Sequence, residues 1–249
     1  TVRNAVSKHW SSFKTYFMIG LPSETDEDIE GIIDLSTRIR RELNDCGWRR
    51  GTLHVSVGAF SPKPHTPYQW CGQIPLEEIR RRLGGIRSGI RQRGIKVSTH
   101  SPEPSVLEAA LARGDIRLAD VIERAYRLGA RFDGWSESFQ WEIWQIAFED
   151  SGQNLAALAE KSYEKTDRLP WEIVDLGLNR EYLWREYQRT FETKPSRHCG
   201  ERKCRLCGVC DGDRVITVRA SDEDLPRLDG RQNEESSTEL YRYRLEYRK

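Results

Sequence analysis

Four cysteines stand close together in the last quarter of the chain and form its strongest chemical signal. Cys199, Cys204, Cys207 and Cys210 follow the spacing C-x4-C-x2-C-x2-C, while the other two of the six cysteines stand apart. In a chain that shows no secretion signal, clustered thiols more often hold a metal than form disulfides. The spacing therefore predicts a metal site with these four thiolates as ligands.

Spacing alone leaves three occupancies of this site open. The compact C-x2-C-x2-C part is typical of the ferredoxin-type turn around an iron-sulfur cluster. Two zinc knuckles need two separated C-x2-C pairs, for which this stretch has no room, but single-cluster and zinc spacings overlap. We rank an iron-sulfur cluster first, zinc second and no stable metal third. Arg202, Lys203 and Arg205 flank the thiols and would lower the pKa of each by offsetting thiolate charge.

Two loops that follow predicted strands form the second candidate site. After the first strand, residues 20–25 (GLPSET) place a glycine where backbone can approach a ligand, then a carboxylate and a helix start. A tight strand-to-helix turn with a capping box accounts for the same residues without a ligand. After the second strand, residues 60–68 (FSPKPHTPY) form either a stiff segment whose carbonyls face a ligand or a rigid surface loop.

The elements that would position these loops alternate between strands and helices. Apolar and β-branched runs predict strands at 13–21, 53–60 and 95–99, and the first is so continuously apolar that we expect it to be buried on both faces. Apolar residues at three- and four-residue steps predict a helix capped by Thr25 and a second helix over 76–93 that Gly94 ends. This order predicts an α/β fold with parallel strands, in which ligands bind at the carboxyl ends of the strands.

The pattern after the third strand is helical. We predict helices at 106–112, 118–128, 138–148 and 154–163. Six aromatic residues in this region are interpreted as a packed core rather than a stacking platform: Phe132, Trp135, Phe139, Trp141, Trp144 and Phe148. The arginines at 80–82, 87, 91 and 93 flank a buried apolar stripe and are interpreted as a solvated helix face.

Composition excludes several classes of protein. The 249 residues carry 40 basic and 39 acidic side chains, and a net charge of +1 gives no long-range field of the kind a dedicated nucleic-acid binder has, although a local patch stays open. No apolar run approaches the roughly 18 residues of a membrane helix, so we expect a cytoplasmic protein without membrane partners. The absence of P-loop, G-x-G-x-x-G and G-x-S-x-G motifs removes support for kinase, Rossmann dehydrogenase and serine hydrolase functions.

These patterns predict where the chain divides into segments. We expect the α/β part over 1–100, a helical extension over 101–195, the cysteine-rich segment over 196–213 and a polar linker over 214–238. The final stretch, 239–249, alternates tyrosine and arginine like a strand and is expected to open a further domain. Three parallel strands are too few to close a barrel, and the first begins about a dozen residues in, without an initiator methionine, so we expect neighbouring strands outside this sequence.

Several segments together resemble radical S-adenosylmethionine (SAM) enzymes. Residues 14–35 (KTYFMIGLPSETDEDIEGIIDL) are similar to the fifth-strand region of their barrel, and residues 55–70 (VSVGAFSPKPHTPYQW) to the sixth strand. More narrowly, residues 105–135 and the segment CGERKCRLCGVCDG resemble the second half of a radical SAM family whose members also carry a cobalamin-binding domain. The closing YRYRLEYRK is similar to the first strand of a domain of unknown function that follows this family, fused or as a separate protein.

The resemblance implies a partial (β/α) barrel of a larger enzyme. Its full-length form would carry a 4Fe-4S cluster that reductively cleaves SAM to a 5′-deoxyadenosyl radical, with cobalamin as a further cofactor. The family's C-x3-C-x2-C cluster motif has no match in this chain, so chemistry by this chain alone is not expected. By position, the residues implied to line the adenosyl pocket are Gly20, Leu21, Pro22, Glu24, Phe60 and Ser61. The four clustered cysteines would hold an auxiliary iron-sulfur cluster or zinc.

Two other functions remain as alternatives. One is a noncatalytic module, stapled by zinc or an iron-sulfur cluster, that binds RNA or a protein through Arg80–Arg93 and the cysteine turn. The other is an RNA-modifying radical SAM enzyme, because methylthiotransferases share the later strands of this barrel. The substrate is not specified by the sequence.

Overall fold

The computed structural model describes residues 1–192, 194–196 and 207–210, together with the backbone pairing of 215–219 and 243–247. The chain divides into two compact units, Thr1–Ile173 and Val174–Lys249. The elements of the first unit are α1 (Val2–Ser7), β1 (Phe13–Ile19), α2 (Asp26–Asp45), β2 (Leu53–Ala59), α3 (Leu76–Gly89), β3 (Ile95–Thr99), α4 (Pro102–Arg113), α5 (Leu118–Leu128), α6 (Trp141–Asp150) and α7 (Leu155–Glu160), with 3-10 turns at Pro67–Trp70 and Pro170–Ile173. The second unit contains α8 (Arg180–Phe191), β4 (Val215–Arg219) and β5 (Tyr243–Tyr247).

The first unit is built on a parallel sheet in the order β1-β2-β3. Phe13 pairs with Leu53 and Leu53 with Ile95, so the three strands start level with one another. The βαβ prediction is confirmed, with α2 and α3 as the crossovers. Thr25 forms the predicted capping box with Asp28 at the start of α2, and the hydrogen bonds from Thr25 hold the pKa of the Asp28 carboxyl below its usual range.

Helix α3 is shorter than predicted. It ends at Gly89 rather than near Arg93, because Ile90 leaves the helical conformation while its side chain stays buried in the core. Gly94 therefore does not end the helix. It adopts a φ of +85° in the turn before β3, where its carbonyl accepts a hydrogen bond from the backbone of Leu53.

The two faces of the sheet differ, and the prediction that β1 is buried on both faces is wrong. One face packs under the helices and carries the fully buried side chains of Leu53, Val55 and Val57. On the other face Tyr16 is 73% exposed and Met18 is 53% exposed. The sequence of β1 does not show that one of its faces is exposed. Tyr16 and Met18 on that face are the kind of side chain that a strand buried on both faces also carries.

The helical extension follows the prediction in outline, with helices α4 to α7 at the expected places. Trp144 and Phe148 are buried in the main core. The interpretation of all six aromatic residues as core is wrong for two of them, since Phe132 is 77% exposed and Trp135 is 64% exposed. Both lie in the irregular loop between α5 and α6, where no periodic pattern assigns a buried side.

In the second unit, the predicted carboxyl-terminal strand is present as β5 and has a partner. It pairs antiparallel with β4, with Val215 opposite Tyr247. The linker prediction for 214–238 fails at β4, whose sequence Val-Ile-Thr-Val-Arg is β-branched and typical of a strand. The rest of the predicted linker, 220–238, lies outside the described residues.

Candidate functional site

The loop after β1 turns sharply at Gly20, the first residue of the candidate pocket. Gly20 is buried and has a φ of +86°. A Cβ atom at this position would lie 3.0 Å from Cδ1 of Ile74, so both conformation and space favour glycine. The group that lies against Gly20 in the structure is the side chain of Ile74, and the approach of a ligand to this backbone stays a prediction. Ser23, in the same loop, has a φ of +68°, a strained conformation for a residue with a side chain.

Glu24 ties this loop together from within. The backbone N–H of Gly20 donates to both carboxylate oxygens of Glu24 at 3.0 Å. Oε1 of Glu24 also accepts a hydrogen bond from Nη1 of Arg82 in α3 at 2.6 Å, and the two side chains are 7% and 12% exposed. Because both carboxylate oxygens are engaged, Glu24 positions the loop rather than presenting an unpaired acid to a ligand.

Three arginines of α3, Arg80, Arg81 and Arg82, are paired with carboxylates. Arg82 also binds Glu78 at 2.7 Å, and hydrogen bonds from Arg81 and Arg82 lower the pKa of Glu78 to about 2. Arg81 binds Asp26 at 2.6 Å as well. The solvated-face interpretation holds for Arg80 and Arg81, which are about half exposed, but it is wrong for Arg82, which is largely buried against Glu24.

The loop after β2 lies directly beside the loop after β1. The backbone N–H of Phe60 donates to the carbonyl of Ile19, the last residue of β1, at 2.7 Å, which continues the sheet pairing one residue past the end of β2. The structure therefore brings Gly20 and Phe60, two of the predicted pocket residues, to neighbouring positions. The hydroxyl of Ser61 is buried and has no hydrogen-bond partner within the described part of the chain, and such a group is rare in a native fold unless a ligand or water completes it.

Two glutamines, Gln69 and Gln73, hold the loop after β2 in place. Gln73 is 3% exposed, and its side-chain amide donates to the carbonyl of Phe60 at 2.8 Å and to the hydroxyl of Ser105 at 2.9 Å. Oε1 of Gln69 accepts from the backbone of His65 at 3.1 Å and from the indole of Trp171 at 2.8 Å. His65 has a φ of +57°, so this loop also contains a strained residue that its anchors must hold.

Arg113, at the end of α4, fastens the helical extension to the same loop. Its side chain is fully buried, which lowers the pKa of the guanidinium, and its Nη1 donates to the carbonyl of Ala159 at 2.8 Å. That carbonyl also accepts from the backbone of Gln73 at 2.9 Å. The guanidinium lies 5.4 Å from the ring centre of Tyr163 and 5.9 Å from that of Trp171. The helical extension therefore holds the loop after β2 in place through the shared carbonyl of Ala159.

Sequence reasoning missed these supporting residues. Arg113 stands in register with Val106 and Ala110 on the buried stripe of α4, and a charged residue on an apolar stripe is the signal that marks a buried anchor. Gln69 and Gln73 carry no comparable signal, because they lie outside regular periodic elements.

Cys207 and Cys210 are the two members of the cysteine cluster within the described residues, and Cys199 and Cys204 lie outside them. The carbonyl of Cys207 accepts from the backbone of Asn179, the N-cap of α8, at 2.8 Å. Gly208 has a φ of +90°, and a Cβ there would lie 1.9 Å from the carbonyl of Gly177. The C-x2-C turn is thus fixed by backbone contacts, while its thiols are partly exposed.

The described residues contain no group of three or more metal-ligating side chains. Two of the four predicted ligands, Cys199 and Cys204, lie outside the described residues. Cys71 is no substitute, because burial raises the pKa of its thiol to about 11 and its Sγ donates to the carbonyl of Tyr68 at 3.0 Å. The two described thiols of the cluster suit a metal site better, since they stand three residues apart in a fixed turn and are partly exposed.

Comparisons with known proteins give distant similarities. No protein-family model matches the chain, and no solved structure matches it. An uncharacterised protein of Methanocaldococcus jannaschii is 31% identical over 110 residues, which cover 44% of this chain and 23% of that protein.

No helix within the described residues is long and apolar enough to cross a membrane.

Two cyanobacterial proteins are also similar, both named ribosomal protein uS12 methylthiotransferase RimO. The one from Synechococcus sp. strain JA-3-3Ab is 29% identical over 137 residues, covering 53% of this chain and 26% of that protein. The one from strain JA-2-3B'a(2-13) is 30% identical over 125 residues, covering 49% of this chain and 23% of that protein. The matched part of this chain thus spans about a quarter of the length of these relatives. The similarity points at most to an enzyme of the radical SAM class.

Proposed function

We propose that β1, β2 and β3 are later strands of a radical SAM barrel and that the two loops after β1 and β2 line its adenosyl pocket. The observation that carries the proposal is the 2.7 Å hydrogen bond between the Phe60 N–H and the Ile19 carbonyl, because it sets the two loops side by side at the carboxyl end of a parallel sheet. The similarity to two proteins named as methylthiotransferases supports it. The activity belongs to a longer protein, of which this chain supplies one part.

In such an enzyme a 4Fe-4S cluster supplies the electron that cleaves SAM. The part of the site in this chain binds and orients. The backbone turn at Gly20, Leu21 and Pro22 forms one wall, held in shape by Glu24. The other wall is formed by Phe60, whose carbonyl Gln73 fixes, and by Ser61, whose unpartnered hydroxyl is suited to a polar group of the ligand.

Radical formation by the complete gene product tests this proposal. We expect anaerobically reconstituted, dithionite-reduced protein to convert SAM to 5′-deoxyadenosine, measured by chromatography. Ser61→Ala removes a ligand contact and should raise the KM for SAM about fivefold to tenfold, as expected for one buried hydrogen bond. Ser88→Ala, whose hydroxyl donates within α3 to the carbonyl of Gly85, should leave KM unchanged. Protein that holds its cluster but forms no 5′-deoxyadenosine would rule out the proposal.

We further propose that Cys199, Cys204, Cys207 and Cys210 hold an auxiliary metal centre, with an iron-sulfur cluster preferred to zinc. Its support is the cysteine spacing and the fixed, partly exposed turn that carries Cys207 and Cys210. After anaerobic reconstitution of this chain, Cys207→Ala and Cys210→Ala should abolish a brown chromophore, while Cys46→Ala should retain it. Stoichiometric zinc without visible absorption would instead assign a zinc site.

We propose two further features on the sequence resemblance alone. One is cobalamin as a cofactor of the full-length protein, and the other is a partner domain after β5.

Between the alternatives, the structure favours radical chemistry over the noncatalytic module. That module relied on Arg80–Arg93 as its binding surface, but three arginines of this run are already paired with carboxylates. The RNA-modifying variant of the radical enzyme stays a proposal on the sequence resemblance alone.

A further inference from the structure

Helix α8 buries a single side chain. The structure describes all 12 of its residues, Arg180–Phe191, and Leu183 is the one among them that is buried. A ring contact between Tyr187 and Phe191, 5.1 Å between centres, supports the helix locally. Isolated helices of about 12 residues are marginal in water, and most helices in proteins gain their stability from packing an apolar face. The stability of α8 therefore depends strongly on what holds its ends.

The start of α8 is held by the C-x2-C turn, residues 207–210. The backbone N–H of Asn179, the N-cap, donates to the carbonyl of Cys207 at 2.8 Å. Beside this bond, Gly208 lies so close to the carbonyl of Gly177 that a side chain would not fit, and its φ of +90° is one that glycine adopts without strain. Two consecutive residues of the turn thus contact the start of the helix through backbone atoms.

The segment that leads into α8 holds its own shape. Oδ1 of Asp175 accepts a hydrogen bond from the backbone N–H of Gly177 at 2.7 Å. The side chain of Asn179 accepts from the backbone N–H of Tyr182 at 3.1 Å and so caps the first turn of the helix. Because this segment and the first turn of α8 are joined by local bonds, the position of the C-x2-C turn also sets the position of the helix start.

We propose that metal binding at the cysteine cluster folds α8: an ion held by Cys207 and Cys210 fixes the C-x2-C turn, and the turn fixes the helix start through Asn179. Two thiolates that bind one ion hold the turn between them in one conformation, and the free energy of metal binding then becomes free energy of folding. The inference rests on the proposed metal centre and gives it a structural role. Such linkage is reciprocal, so a change that unfolds α8 must weaken metal binding by the same factor.

Amide hydrogen exchange of this chain, with and without Zn²⁺, tests the first direction of the linkage. Zn²⁺ alone serves as the probe because it suits a site of four thiolates. At a free zinc concentration about 100 times its Kd, exchange in α8 should slow by a factor that approaches about 100. Exchange in α5, which lies in the first unit, should stay unchanged. Equal exchange in α8 with and without bound zinc would overturn the proposal.

Gln188→Pro tests the reverse direction. Gln188 is exposed and lies nine residues after Asn179, about 13 Å along the helix, so its side chain does not reach the turn. A proline at this position interrupts the helix and should lower the affinity for zinc at least tenfold, measured by competition with a chelator. The matched change Gln188→Ala keeps the helix and should alter the affinity less than twofold.

Circular dichroism of both variants reports the helix content independently of zinc binding. An unchanged zinc affinity in Gln188→Pro, with helix content lost, would overturn the proposal, as would equal losses of affinity in the two variants. A wild-type chain that binds no zinc would overturn the metal centre as well. Zinc binding without any effect on α8 would overturn this inference alone, so the two failures give different results.

Discussion

At the scale of single residues, the glycine of the candidate pocket is fixed by backbone geometry. Gly20→Ala places a Cβ 3.0 Å from Ile74 in a left-handed conformation, and we expect a loss of about 1–3 kcal/mol in the free energy of unfolding. The matched change Gly31→Ala, in the interior of α2 with no atom near the new methyl group, should instead stabilise by about 0.5–1 kcal/mol. Urea unfolding of both variants measures the difference. Equal effects would show that Gly20 is not conformationally required.

The carboxylate of Glu78 gives the protein a specific acid sensitivity. Hydrogen bonds from Arg81 and Arg82 lower its folded-state pKa to about 2, below the unfolded value near 4.3. A lowered pKa contributes stability that is complete above the unfolded pKa and is lost as pH falls from about 4.5 toward 2. Glu78→Gln should therefore flatten the dependence of melting temperature on pH in this window.

The control for this prediction is Glu30→Gln on α2, since the described residues show no ion pair for Glu30. That variant should keep the acid sensitivity of the wild-type protein. If the two variants respond alike between pH 4.5 and 2, the ion pairs of α3 contribute nothing to acid stability.

At the scale of elements, the sequence predicted what depends on local periodicity and capping. The three strands, the Thr25 capping box and helices α4 to α7 follow from patterns within single segments. The sequence did not reveal which face of β1 is exposed, because that depends on neighbours along the sheet. It also could not pair β5 with β4, since antiparallel partners far apart in sequence leave no local signal.

The sequence predicted the loops of the candidate site but not the contacts that hold them in place. The loops after β1 and β2 were found because parallel strands end at a common edge. Their supports were not found: Glu24 with Arg82, and Gln73 with Phe60, are contacts between segments that meet only in three dimensions. The predicted pocket therefore included Glu24 as a ligand contact, whereas in the structure its carboxylate oxygens accept hydrogen bonds from Gly20 and Arg82.

At the scale of the whole molecule, every described anchor of the pocket loops lies in the unit Thr1–Ile173. A chain that ends at Ile173 should therefore unfold cooperatively. A chain that ends at Asp167 loses Leu169 and Trp171, which are buried, and the bond from Trp171 to Gln69. Its melting temperature should be lower by on the order of 10 °C. Calorimetry of the two chains checks this, and identical melting would mean that Trp171 does not support the loop.

If the loops after β1 and β2 together form the adenosyl pocket, bound SAM should protect their backbone amides, and amide hydrogen exchange of the complete gene product measures that protection. Saturating SAM should slow exchange at residues 20–25 and 60–70. Exchange in α5 and α6 should stay unchanged, since those helices pack away from the sheet edge. Slowed exchange confined to other segments, with SAM demonstrably bound, would show that these two loops do not form the pocket.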